Sequence, residues 1–318
     1  MPNFRSVPLL FVLVVVGGCQ PVTRPGVQVQ DTRSVLLETV SERLPDGATL
    51  KTTYPHGSRN TRYAAVLIVG DYTTTVADDE EPGSEQLLAS WAEEFGNEKI
   101  LTMRVTDDAP TAAARRARVL AAWEMLGKAK LVDRTRRAIL VQGDASYTVA
   151  PLLRELSPQA VVFANCPARP FRVVARERAL RALAASDGAL PQETVLAGVE
   201  EWERGRLPGG PFWSATFGGV PQGYYDGSFD WKLPDSPRGL PVFVLTGESE
   251  REGSDSDEQV FVGAYGAEAV QVPLTDRNLK PRDDRNSPGP TDPIVPDAFD
   301  AALQFLVPIL SPSDLREG

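Results

Sequence analysis

The stretch Ala138–Leu153, AILVQGDASYTVAPLL, decides the fold. It opens with a short continuous apolar run, the pattern of a strand buried on both faces. Gly143-Asp144-Ala145-Ser146 then turns the chain, and Tyr147 to Glu155 reads as helix. Strand, sharp turn and helix in this order is the layout that presents a side chain at the carboxyl edge of a parallel sheet. Working outward, Ala64–Val69 (AAVLIV), Lys99–Val105, Ala160–Ala164 (AVVFA), Pro241–Thr246 (PVFVLT) and Glu268–Pro273 read as further strands. Helical spacing separates several of them: Ser84–Phe95 places Leu87, Leu88, Trp91 and Phe95 on one side, and Thr111–Leu126 and Asp297–Leu310 follow the same rule. Ser34–Glu42 and Ala48–Tyr54 are strand-like and flank the turn Pro45-Asp46-Gly47. This alternation predicts an α/β fold with a mostly parallel central sheet covered by helices on both faces. Two helical stretches over Arg172–Gly205 and the Gly- and aromatic-rich Gly209–Trp231 interrupt it, so a lid insertion is expected at about 172–231.

Composition narrows the function. The chain has 318 residues, 42% hydrophobic and 24% charged, with a net charge of −10. An acidic chain without a long basic run is a poor match for nucleic acid, whose binding rests on neutralising phosphates. One histidine and two cysteines leave little for a metal site, and no metal or cofactor is expected. Gly209-Gly210 and Gly218-Gly219 lack the strand-to-helix context of a phosphate loop.

The N-terminus reads as an address. Arg5 precedes the apolar run Val7–Val16 (VPLLFVLVVV), long enough for a signal-peptide core but far short of the ~20 residues that span a bilayer. It ends in Val16-Gly17-Gly18-Cys19, which resembles the lipobox of bacterial lipoproteins, whose cysteine is lipidated after cleavage. The expected organisation is a signal peptide over 1–18, a polar tether over 19–33 and one domain over 34–318. The resemblance implies a cell-envelope protein held to a membrane through lipid on Cys19. Gln20 at the next position resembles lipoproteins passed to an outer membrane, facing the periplasm. Cys166 would then have no disulfide partner within the chain.

From about Ser34 to Leu310 the chain resembles the α/β-hydrolase superfamily, in particular its serine-aminopeptidase-like bacterial esterases. AAVLIVGDYTTT (Ala64–Thr75) is similar to that family's strand and oxyanion loop, placing Gly70 and Asp71 at the oxyanion-loop positions. LVQGDASYTVAPLL (Leu140–Leu153) is similar to the nucleophile elbow and its helix. PFW (Pro211–Trp213) stands at the usual end of the lid, PVFVLTGESE (Pro241–Glu250) resembles the strand that delivers the catalytic acid, and VPLTDRNLKP (Val272–Pro281) resembles the segment that delivers the histidine.

The departures matter more. Against the family's G-x-S-x-G, this chain reads Gln142-Gly143-Asp144-Ala145-Ser146, with Asp144 at the nucleophile position. The acid position falls on Glu250 and the histidine position on Arg277. A serine hydroxyl needs a base that titrates near neutrality, and a guanidinium stays protonated. An aspartate nucleophile would form an ester whose hydrolysis needs an activated water, so turnover would stall at the adduct. A cation between two carboxylates is a structural arrangement, and an Asp144–Arg277 ion pair is expected. The only histidine, His56, reads as an exposed turn residue.

Other candidates carry ordinary readings. Ser146 reads as a helix cap or small packing residue, and Cys166 as a buried small residue. Asp255, Asp257 and Glu258 in SDSDEQ read as a solvated acidic loop, since the spacing of a calcium loop is missing. Phe212, Trp213, Phe217, Tyr224, Tyr225, Phe229 and Trp231 either line a ligand pocket or pack the lid. The reading is a catalytically inactive hydrolase-fold lipoprotein, a pseudoenzyme kept to bind a small molecule or an envelope protein under the lid. The alternative is an active hydrolase of esters or amides with a non-standard site around Asp144, Ser146 or the lid.

Overall fold

The computed structural model describes residues 37–44, 46–55, 61–70, 84–105, 109–185, 191–203, 220–247, 251–272, 275, 279 and 294–311. Contacts divide the chain into Met1–Ser34 and a compact unit Val35–Gly318. The expected signal peptide and Cys19 lie outside the described residues, as does His56.

Eight strands form one sheet: β1 (Glu38–Arg43), β2 (Thr49–Tyr54), β3 (Tyr63–Val69), β4 (Leu101–Val105), β5 (Val132–Gln142), β6 (Ala160–Ala164), β7 (Val242–Gly247) and β8 (Glu268–Val272). Their order is β1-β2-β4-β3-β5-β6-β7-β8. β2 runs antiparallel to both β1 and β4, and all other pairings are parallel. The first strand starts later than its apolar pattern suggests. Leu37 packs on a helix instead, where a Cβ added to Gly96 would stand 2.7 Å from its Cδ2. The hairpin turns at Gly47, whose φ of +89° favours glycine.

Helices α1 (Ser84–Asn97) and α8 (Pro296–Leu310) cover one face. α2 (Ala112–Lys128), α5 (Phe171–Ala185), α6 (Gln192–Glu203) and α7 (Arg251–Tyr265) contribute to the core on the other. Two cores result, one per face. Along β5, Ala138 and Leu140 enter the α1/α8 core while Ile139 and Val141 enter the opposite one. Successive strand residues point to opposite faces, so a strand covered twice must be apolar throughout. That is why AILV, AVVFA and AAVLIV are continuous rather than alternating.

After β5 the helix expected over Tyr147–Glu155 is broken into turns: a 3-10 turn at Gly143–Ala145, α3 (Ser146–Val149), a 3-10 turn at Ala150–Leu152, and α4 (Leu153–Leu156). Pro151, which has no N–H to donate, sits where the α-turn gives way. The chain leaves α4 through Ser157 in the left-handed region, φ +47°. The solvated loop expected at SDSDEQ is corrected: these residues belong to α7, and Asp257 is only 8% exposed. Helical spacing puts Asp257 on the face that carries Phe261 and Tyr265, both buried, and ion pairing offsets the cost of its charge.

β4 contains a buried cation. Arg104 is 7% exposed, its Nε has no hydrogen-bond partner among the described residues, and burial lowers its pKa. It lies directly across from Lys51 on β2, and like charges opposite one another destabilise a sheet. Arg104→Met, which keeps the stem and removes the charge, is expected to raise the unfolding free energy by about 1 kcal/mol or leave it unchanged. Urea denaturation at constant m-value measures this, and a loss above ~1 kcal/mol contradicts the account.

Candidate functional site

The strand registers bring the carboxyl ends of β3 to β8 to one edge. Val69 pairs with Val141, Gln142 with Ala164, Ala164 with Leu245, and Gly247 with Val272. Gly70 therefore stands beside the turn after β5, at the place where the strand order reverses. Crevices at such switch points are where open α/β sheets bind ligands. Gly70 is buried; Asp71, Glu250 and Arg277 lie outside the described residues.

The turn has its vertex at Gly143, whose φ is +59°. Asp144 follows within the 3-10 turn, 2% exposed. Its carboxylate is clamped by a residue the sequence reading missed: Arg178 on α5 donates from Nη1 to Oδ2 at 2.6 Å and from Nη2 to Oδ1 at 2.7 Å. Tyr225 adds an O–H to Oδ2 at 2.6 Å. Burial works against the Arg178 charge, but the Asp144 carboxylate outweighs it and holds the guanidinium pKa well above its usual value. Burial, reinforced by the Asp144 charge, pushes the Tyr147 phenol up. Tyr147 thus stays neutral and donates to the Arg169 carbonyl at 2.9 Å.

A second ionic cluster lies alongside. Arg169 bridges Glu177 of α5, at 2.6 and 2.8 Å, and Asp257 of α7, at 3.0 Å. Asp257 Oδ1 also accepts the backbone N–H of Ala168 and Arg169, at 2.8 and 2.9 Å. Successive residues Glu177 and Arg178 therefore tie α5 to α7 and to the turn after β5. No spacing rule links positions 144 and 178, or 169 and 257. The only prior signal was that an acid buried at a strand end needs a cation.

The remaining candidates are packed. Ser146 is fully buried and donates to the Pro167 carbonyl at 2.7 Å, so it is a small packing residue with no side-chain cap role in α3. Cys166 is buried and free of disulfide, with its thiol 3.3 Å from the Val141 carbonyl. Tyr225 stacks on Phe171 at 3.7 Å, Tyr147 meets Trp231 edge-on at 4.9 Å, and the Arg115 guanidinium lies 3.5 Å over Tyr224. Packing thus accounts for Tyr224, Tyr225 and Trp231, while Phe229 is half-buried; Phe212, Trp213 and Phe217 lie outside the described residues. The cavity between Asn165, Cys166, Arg169, Arg178, Thr246 and Asp257 measures about 40 Å³. That is room for a water molecule or two rather than a substrate. Among the described residues no cluster of three or more His, Cys, Asp or Glu could hold a metal ion.

No protein-family model matches the sequence, and no curated protein sequence matches it. Solved structures do. A proline iminopeptidase from Mycobacterium smegmatis is 15% identical at a TM-score of 0.52, covering 86% of this chain and 99% of its own. The α/β hydrolase GrgF from a Penicillium species gives 15% and 0.52, with 86% and 97% covered. A hypothetical protein from Pseudomonas aeruginosa gives 16% and 0.50, with 86% and 94% covered.

The clamp makes a stability prediction. Arg178→Met leaves the Asp144 charge buried and is expected to cost about 3 kcal/mol, while Asp144→Ala/Arg178→Met recovers much of that loss. Additive losses in urea denaturation of the single and double variants would refute the pairing.

Proposed function

We infer that the α/β-hydrolase fold of this chain, whose eight strands in the order above and flanking helices superpose on hydrolase structures over most of their length, serves binding rather than catalysis, in a lipoprotein anchored in the bacterial cell envelope through Cys19. The observation that carries the inference is the turn after β5. In a nucleophile elbow the attacking side chain sits on the sharp, left-handed vertex. Here the vertex is Gly143, which has no side chain, and Asp144 next to it is held by three hydrogen bonds from Arg178 and Tyr225. A carboxylate so held is a poor nucleophile, since its lone pairs are engaged and its charge is matched. The family's histidine position carries Arg277, and the sole imidazole is His56. Asp144 then serves a structural role, holding α5 to the turn after β5.

α5, α6 and the aromatic segment around Tyr225 and Trp231 are the proposed lid, closed by its own side chains. The small size of the cavity among the described residues at the strand ends favours an envelope protein over a small molecule as the ligand. For the anchor, the VVVGGC run and the start of the compact unit at Val35 support a short tether between lipid and domain. The charge of −10 supports neither nucleic acid nor an anionic surface as partner.

Two measurements check this. A panel of short-chain esters and aminoacyl amides should show no turnover above background with the wild-type chain or with Asp144→Ala. Turnover that disappears in Asp144→Ala establishes instead an active hydrolase with an unorthodox site. Labelled palmitate should be incorporated by the wild type and lost in Cys19→Ser. Incorporation by neither protein removes the lipid anchor while leaving the binding role standing.

A further inference from the structure

Away from the strand ends the molecule has a larger cavity. A groove of about 780 Å³, within the size range of small-molecule sites, is lined by Glu38, Val40 and Glu42 of β1, Thr52 and Tyr54 of β2, Met103, and Met125, Lys128 and Lys130 around the end of α2. Topology explains it. α2 packs over β3, β4 and β5, and the β1–β2 hairpin extends two strands beyond. Val40 faces Thr52, and Thr52 faces Met103, so one row of side chains runs from under the helix into the open. At the outer end of this row Val40 remains 36% exposed.

Two features give the groove chemistry. Its floor is apolar and adaptable, for both internal methionines of the chain, Met103 and Met125, line it together with two tyrosines. Its floor also holds the Thr52 hydroxyl, 1% exposed and without a hydrogen-bond partner among the described residues. Such a group costs free energy unless something completes it. The walls carry opposite charges. Glu38 and Glu42 project from β1, and their charges, after burial, push the Tyr54 phenol up. Across the groove are Lys128, which also meets Glu124 at 2.5 Å, and Lys130.

We propose that this groove binds a single-chain zwitterionic phospholipid, its acyl chain along Val40, Tyr54, Met103 and Met125, its phosphate toward Lys128 and Lys130 and its ammonium toward Glu38 and Glu42. An uncharged chain leaves both walls unused, and a chain with one charge satisfies one wall while facing like charge on the other. The membrane as the source of this ligand rests on the lipid anchor proposed for Cys19. The groove itself does not depend on that reading.

The test is calorimetric titration of the chain from Gln20 onward, which holds every described element, with three twelve-carbon probes kept below their micelle concentrations. They are a lysophosphatidylethanolamine, dodecanoate and dodecylamine. The zwitterion is expected to bind at one per chain and at least tenfold more tightly than either singly charged probe. Val40→Glu, at an exposed position, is expected to weaken it tenfold or more with the melting temperature unchanged. Lys130→Glu is expected to remove the preference over dodecylamine, and Thr52→Val to lower affinity severalfold. Equal binding of all three probes, tighter binding of dodecanoate, or no binding overturns the proposal. Binding by the compact unit Val35–Gly318 but not by the longer chain also overturns it, since the chain's own residues 20–34 would then be the occupant. Ester turnover is not read in this experiment, so its result and that of the catalytic test are independent.

Discussion

The Asp144 carboxylate sits at the point where the sheet reverses its strand order, with 2% of its surface exposed, and it cannot remain charged there alone. Arg178 makes it tenable through a two-pronged pair, and Tyr225 takes part in the same knot. Much of the upper half of the molecule follows from this demand. To reach Asp144, Arg178 must sit on a helix laid across the strand ends, and α5 is that helix. Its neighbour Glu177 then meets Arg169, which meets Asp257 of α7. Tyr225 can donate to Asp144 only because its ring stacks on Phe171 at the start of α5. Charge pairing and aromatic packing therefore position the same segment.

This arrangement bears on chemistry. In a hydrolase elbow the turn after the central strand exposes a nucleophile and keeps a base within reach. Here the corresponding turn bears glycine at its vertex, and the neighbouring acid is spent on holding a helix down. The ions at the carboxyl edge tie α5 to the turn after β5 and, through Arg169, to α7. Where the β1–β2 hairpin overhangs α2, the row Val40, Thr52 and Met103 continues past its cover.

Particular residues show how much was legible beforehand. The strands AAVLIV, AILVQ, AVVFA and PVFVLT were readable because burial on both faces makes nearly every position in them apolar. α1 was readable from Leu87, Leu88, Trp91 and Phe95 on one side, all of which are buried. SDSDEQ was misread because charge density there outweighed a helical spacing whose apolar partners, Phe261 and Tyr265, come later. Cys166 was read as a small buried residue and is one, while of the two readings of Ser146, helix cap or packing residue, the structure shows packing. Asp144 was recognised as an acid in need of a cation. Its expected partner, Arg277, lies outside the described residues; among those, Arg178 holds it.

Amino-acid order alone determined the layered α/β plan, because it depends on local periodicity and on residue identity. The pairing of Asp144 with Arg178, of Arg169 with Asp257, and the groove beside β1 were decided only by the tertiary structure. Each joins segments tens of residues apart, or depends on where a helix stops short of a sheet edge. Side-chain ion pairs across such separations leave no periodic trace, since what selects them is the cost of burying one charge without the other.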